Sequence, residues 1–164
     1  MRHAFSASVF CRRDTRVLLI KHKLLGLWLP VGGELEMTSV QEKTETSRTK
    51  HTRLETPLEA ATREVREETR FIVSFPTIKH APAGTPPGFI GYEEHTAGPK
   101  GYHMNFCFLA NVIGGGTPDL EPISDGSWSE HRWVNPHSVQ GDKSLEMPKN
   151  VRDLLWQLLL TKTE

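Results

Sequence analysis

The sequence predicts a mixed α+β or α/β sandwich. Three observations carry that expectation: short apolar or β-branched runs bounded by turn residues recur at both ends of the chain, one strongly capped amphipathic helix lies in the middle, and a second amphipathic helix closes the C-terminus. At 164 residues the chain reads as one domain, 1–164, long enough to bury a real core.

Ala4–Phe10 reads as a strand. "RRDTR" is a polar turn, and "VLLIKH" (Val17–His22) reads as a strand running back. In "GLWLPVGGELE", Pro30, Gly32 and Gly33 predict a tight, strained connection. Met37–Thr52, "MTSVQEKTETSRTKHT", is almost wholly polar with no apolar periodicity, so a mobile surface loop is expected. Thr56-Pro57-Leu58-Glu59 starts a helix: Thr56 is the N-cap, Pro57 suits the first helical position, and Glu59 completes a capping box. Leu58, Ala60, Ala61 and Val65 form a narrow apolar stripe, and the helix should end near Arg70. "FIVSF" is a strand, and the Pro- and Gly-rich stretch from His80 to Pro99 reads as a long loop. "YHMNFCFLANVI" is a buried strand, "GGGTPDLEPISDGSWSE" a loop, "HRWV" a short strand, "NPHSV" a turn or short helix, and "VRDLLWQLLL" the final helix.

Charge narrows the function classes. With 20 basic and 20 acidic residues the formal net charge is zero, so nucleic acid and membrane surfaces are not expected partners. Cys11 and Cys107 lie in apolar runs and are expected as reduced core residues of a cytoplasmic protein. No segment has the length and hydropathy of a membrane span, and "MRHAFSASVFCRRD" is too broken by arginine for a signal peptide.

The stretch "EAATREVREETRF" (Glu59–Phe71) concentrates the chemistry. Glu64, Glu67 and Glu68 are spaced i, i+3, i+4, which puts them on one helix face. Arg63 reaches Glu67 at i+4 but cannot neutralise three carboxylates. Two readings follow. One is a solvated face laced with weak ion pairs, each worth about 0.3–0.5 kcal/mol. The other is a site for a hard divalent cation such as Mg²⁺, Mn²⁺ or Ca²⁺. The Gly-Gly pair upstream, where a backbone carbonyl could approach an ion closely, favours the second.

These residues resemble the Nudix box: Gly33, then Glu55, then "REVREE" over Arg63–Glu68, with Val65 and Phe71 in the apolar slots. The seven residues between Glu55 and Arg63 match the family's interval. "LWLPVGGELE" resembles the family's lead-in to the box, and "HRWV" its late Trp-bearing strand. There are two departures. Gly33 and Glu55 are separated by 21 residues where the family has about five, and the excess of 16 matches Met37–Thr52, an apparent insertion whose closure entropy costs only about 1 kcal/mol. Arg70 stands where the family has Gly, which puts the usual turn geometry in question.

The resemblance implies a Nudix-fold α/β/α sandwich with a mixed sheet. It also implies a hydrolase that attacks the pyrophosphate linkage of a nucleoside diphosphate derivative, with Mg²⁺ or Mn²⁺ bound. On that reading Glu64, Glu67 and Glu68 are metal carboxylates, Gly33 gives a backbone oxygen, Arg63 orients the glutamates, and Glu55 ties the loop to the helix. The general base would be one of these glutamates or a carboxylate from a later loop: Asp125, Glu130, Glu93 or Glu94. The expected substrate is a small nucleotide, with a nucleoside triphosphate, purine nucleotides among them, preferred. Nucleotide sugars, ADP-ribose, dinucleoside polyphosphates, RNA 5′ ends and a non-catalytic nucleotide sensor are the alternatives. Asn150 is expected as the N-cap of the last helix, or by resemblance as the reader of a purine edge. Tyr102 and Lys21 are further candidate substrate contacts. Tyr92, Phe89 and Trp28 are weighed as base-stacking or core residues, with core favoured. His95 and His103 lack zinc spacing and read as loop or substrate-contact residues. A homodimer is expected only by analogy.

Overall fold

The computed structural model describes Met1–Glu164. Ten strands and three α-helices follow in the order β1 (His3–Arg13), β2 (Arg16–His22), β3 (Trp28–Leu29), β4 (Val31–Glu34), β5 (Met37–Lys43), β6 (Arg48–Leu54), α1 (Pro57–Thr69), β7 (Phe71–Ser74), β8 (Phe89–Thr96), β9 (Tyr102–Gly115), β10 (Trp128–Val134), α2 (Pro136–Val139) and α3 (Lys149–Leu160). The main sheet runs β10-β2-β1-β9-β7, with β3 on β2, β4 on β1 and β8 on β9. β1 and β9 are parallel over His3–Arg12, and the other pairs are antiparallel, so the sheet is mixed as expected.

Period-two alternation gives each central strand two apolar faces. Val9, Cys11, Leu18, Ile20, Phe108 and Ala110 pack on one side with Ala60, Ala61 and Val65 of α1. Phe10, Val17, Leu19, Cys107 and Leu109 pack on the other with Val151, Leu154 and Leu155 of α3. The result is an α/β/α sandwich. Both cysteines are free and buried, and burial pushes each thiol well above its ordinary range. No helix is long and apolar enough to cross a membrane.

α1 begins as its sequence dictates. The Glu59 amide donates to Thr56 Oγ1 at 3.3 Å, and Thr56 N–H donates to the Glu59 carboxylate at 2.8 Å, with Pro57 in the first turn. It ends at Arg70, which adopts φ 64° and ψ 12°. The left-handed turn is therefore kept without glycine, at a cost of about 1 kcal/mol. Two hydrogen bonds hold it: Arg70 N–H to Arg66 O and Gly116 N–H to Arg70 O, both 3.0 Å.

Three expectations about connections are corrected. First, Gly32 and Gly33 form no strained turn. They sit inside β4, opposite Ser8 and Ala7, and neither has a left-handed φ. Glycine is needed at 32 for close approach, because a Cβ there would lie 2.3 Å from the Ala7 carbonyl oxygen. Second, Met37–Thr52 is a two-stranded hairpin, with Met37–Lys43 paired to Arg48–Leu54 and closed by Thr44 N–H donating to Ser47 O at 2.9 Å. Apolar alternation is missing because both faces are largely exposed. Its recurrent threonines are the β-forming signal. Third, the expected loop from His80 to Pro99 contains β8, whose Phe89–Thr96 pairs antiparallel with β9.

The sheet forks at β1. β1 pairs with β2 only through Arg12 and Arg13, while Ser6–Val9 take β4 as their neighbour on that side. β2 turns to β3 at Ile20 and Lys21. Residues from both branches, Ile20 and Leu29 on one and Ser6, Ser8 and Gly33 on the other, line the same cavity.

Thr56→Ala removes one half of the capping box and is expected to lower stability by about 1 kcal/mol in urea denaturation. An unchanged midpoint would show that packing alone sets the start of α1.

Candidate active site

Arg63 is the centre of a clamp. Its Nε and Nη2 donate to Glu55 at 2.8 and 2.9 Å, Nη2 also donates to the Glu34 carbonyl at 2.9 Å, and Nη1 donates to Glu64 at 2.7 Å and Glu67 at 3.2 Å. Glu55 in turn accepts from the Glu36 N–H at 2.9 Å. The end of β4, the root of the hairpin and α1 are thus tied together. Hydrogen bonding to Arg63 holds the Glu55 carboxyl below its ordinary range, and the bonds to Glu55 hold Arg63 firmly protonated.

Glu64 and Glu68 are buried on the side of α1 that meets β4. A Cβ on Gly33 would lie 2.2 Å from Glu64 Oε1, so only glycine lets this carboxylate sit against the strand. Burial raises the Glu64 carboxyl, the charges of Glu67 and Glu36 add to that, and Arg63 opposes it. Glu68 accepts from the Gly32 N–H at 3.0 Å and Ser127 Oγ at 3.4 Å. Burial, with Glu64 and Asp125 nearby, pushes it up to about 8 against the Gly32 and Ser127 hydrogen bonds. None of these partners brings a positive charge to Glu68. A hard divalent cation would fit this all-oxygen donor set.

Glu67 departs from the expected convergence. Its side chain is exposed and held by Arg63, so the three box glutamates do not stand together as a ready cluster. The cavity receives Glu64 and Glu68 only.

That cavity measures about 580 Å³. From the two glutamates it extends past Ser6, Ser8 and Glu34 to Asn105 and His103 on β9, Glu93 and His95 on β8, and Asn150, Val151 and Leu154 on α3. The N-cap reading of Asn150 is corrected: Pro148 occupies that position, and Asn150 lies in the first turn of α3, lining the cavity with its Nδ2 donating to Glu93 Oε2 at 2.9 Å. Asn105 Nδ2 donates to Glu93 Oε1 at 2.9 Å, while Asn105 Oδ1 accepts from Ser6 Oγ at 2.9 Å. His95 Nδ1 and His103 Nε2 are buried without a hydrogen bond, and their rings lie 5.5 Å apart.

The other candidates lie elsewhere. Lys21 donates to Glu130 at 3.1 Å, which places both in an ion pair outside the cavity. Glu94 accepts from the Tyr92 and Tyr102 hydroxyls and points away from the cavity lining, so Tyr102 makes no contact there either. Asp125 accepts from Ser127 N–H at 2.9 Å and sits near Glu68 without lining the cavity. Trp28 and Phe89 pack in the interior. The inward row His103, Asn105 and Cys107 was legible as alternation within "YHMNFCF", yet the run reads simply as an apolar strand. Glu34 and Ser127 carry no motif signal in the sequence.

The raised Glu68 carboxyl sets a pH dependence. Its folded pKa lies above the unfolded value, so the folded state binds the extra proton, and the associated stability is lost as pH rises from about 4.5 to about 8. In EDTA, wild-type protein should lose more melting temperature over that window than Glu68→Gln. Parallel pH profiles would refute this environment for Glu68.

A family model described as NUDIX domain matches residues 2–155. Among curated proteins none matches. Among solved structures, a NUDIX-family hydrolase from Clostridium perfringens has TM-score 0.67 and 20% identity, covering 98% of this chain and 99% of that one. An Ap4A hydrolase from C. elegans has TM-score 0.65 and 14% identity, with 96% of each chain covered. A MutT NUDIX hydrolase from Burkholderia pseudomallei has TM-score 0.61 and 18% identity, covering 96% and 99%. At these identities the structural likeness speaks for the fold, and the family match carries the assignment: this chain belongs to the Nudix family.

Proposed function

We propose that this Nudix enzyme is a Mg²⁺-dependent pyrophosphohydrolase of a nucleoside triphosphate, with a purine nucleotide preferred. One observation supports this most. A single cavity joins two buried carboxylates, Glu64 with Arg63 as its one cationic partner and Glu68 with none, to a wall of amide and carboxylate groups on α3, β8 and β9. Phosphates with a cation suit the first end, and a hydrogen-bonding base suits the second.

In this reading Glu64 and Glu68 hold the cation with the Gly33 carbonyl, and Glu67 joins them by a rotamer change away from Arg63. When bound, Mg²⁺ or Mn²⁺ neutralises phosphate oxygens and the charge developing on the leaving group. Water adds to one phosphorus, the anhydride P–O bond breaks, and two phosphate-bearing products leave. Arg63 and Glu55 keep the glutamates in register. The water's proton passes to a box carboxylate. Glu130 and Glu94 are committed to Lys21 and to two tyrosine hydroxyls. Asp125, bound to Ser127, stays beside the site as an electrostatic neighbour of Glu68. The base end uses the side-chain amide oxygen of Asn150, with Val151 and Leu154 lining the same cavity. A reducing, cytoplasmic setting belongs to the proposal and agrees with the two free, buried thiols.

The decisive assay measures phosphate release from nucleoside triphosphates, nucleotide sugars, ADP-ribose and dinucleoside polyphosphates with and without Mg²⁺, identifying both products. Glu64→Gln and Glu68→Gln are each expected to cut Mg²⁺-dependent turnover by roughly 100-fold or more while the protein stays folded. Wild-type turnover in both variants would defeat the site assignment. Asn150→Ala should raise KM roughly tenfold with kcat little changed. A shift confined to thermal stability would reduce Asn150 to a packing residue.

A further inference from the structure

Resting on the proposed nucleotide reading, we infer that Glu93 selects the base, and that the preferred base is guanine. The geometry of the Glu93 carboxylate carries this. It lines the substrate cavity, with Oε1 accepting from Asn105 Nδ2 and Oε2 from Asn150 Nδ2, each at 2.9 Å. The two amides, one on β9 and one on α3, each hold one oxygen of the carboxylate. Each oxygen keeps a further lone pair for a ligand. His95 Nδ1 lies 3.4 Å from Oε1, close enough to favour the carboxylate charge without completing a well-aligned hydrogen bond.

The protonation state agrees with the geometry. Burial alone would raise the Glu93 carboxyl, yet the groups around it, His95, Asn150 and Asn105, outweigh burial and hold it below its ordinary range. A carboxylate favoured in its charged form thus faces a cavity whose proposed ligand is itself anionic. It repels phosphate, so it orients the nucleotide with the base toward α3 and the phosphates toward Glu64 and Glu68.

What a fixed carboxylate accepts is a pair of adjacent donors. Guanine offers N1–H and a 2-amino N–H side by side on one edge, which satisfies both oxygens at once. Adenine presents an acceptor beside its amino group on the corresponding edge. Hypoxanthine lacks the 2-amino donor, and xanthine places a carbonyl oxygen against the carboxylate. The inference reassigns Glu93 from candidate general base to specificity residue. Its hydrogen-bond partners lie on β9 and α3, and none of them bonds to Glu64 or Glu68.

The test compares kcat/KM for GTP, ITP, XTP and ATP in wild type, Glu93→Gln and Glu93→Asp. Wild type should favour GTP over each competitor by roughly tenfold or more, the range of one charge-assisted hydrogen bond. Glu93→Gln should lose that preference and gain on XTP, because an amide N–H can donate to the xanthine carbonyl. Glu93→Asp, which keeps the charge but withdraws it, should retain the GTP preference with a higher KM. A wild type indifferent to the 2-position, or a Glu93→Gln variant with unchanged base ranking, overturns the inference. If no triphosphate is hydrolysed, the proposed function fails by itself. Equilibrium dialysis of GDP against XDP then decides on Glu93: a GDP preference lost in Glu93→Gln supports it, and no preference or no binding overturns it.

Discussion

The structure depends on one guanidinium. Arg63 spends its donors on Glu55, Glu64, Glu67 and the Glu34 carbonyl, so a single planar group fixes the relation of three chain segments. A lysine could not replace this fork with one point charge. Breaking such a half-buried network leaves a carboxylate without its partner, which costs more than the lost bond itself. The placement of Glu64 against Gly33 follows from the same clamp, because the helix cannot shift along β4 without breaking the bonds from Arg63 to Glu55 and Glu34.

Glycine and charge then work together at the fork in the sheet. Gly32 and Gly33 have no side chain where elements nearly touch: the Ala7 carbonyl of β1 lies against Gly32, the Glu64 carboxylate of α1 lies against Gly33, and Glu68 accepts from the Gly32 N–H. Burial raises the carboxyls of Glu64 and Glu68 at this end, with Arg63 opposing the rise at Glu64. The other end is built oppositely, with neutral amides supporting a carboxylate that stays ionised. One cavity thus contains acidic groups shifted in opposite directions, set by their neighbours and not by residue type.

Much of this was legible in the sequence where local chemistry is strong. Thr56, Pro57 and Glu59 specify the start of α1, and the i, i+3, i+4 spacing specifies which glutamates are neighbours. The strands around Phe10, Leu19 and Leu109 declare themselves by dense apolar runs. Legibility fails where a partner distant in sequence decides. β8 is a strand because β9 pairs with it, despite the Pro and Gly residues before it. Asn150 looks like a cap in isolation, but Pro148 takes that position and Glu93 takes the amide. Glu67 shares a helix face with Glu64 and Glu68, yet rotamer choice and Arg63 turn it outward. Spacing gives neighbourhood, and tertiary contacts give direction.

The hairpin of β5 and β6 has a root that closes on itself. Glu55 N–H donates to the Glu36 carbonyl at 2.8 Å, and Glu36 N–H donates back to the Glu55 carboxylate. Beyond that root Arg53 of β6 ties the hairpin to Glu59 of α1 at 2.7 Å, and the tip from Thr44 to Ser47 bonds only within itself. That tip is therefore the place where a protein engineer would graft a fluorophore, an affinity handle or a second domain, away from Arg63 and the box glutamates.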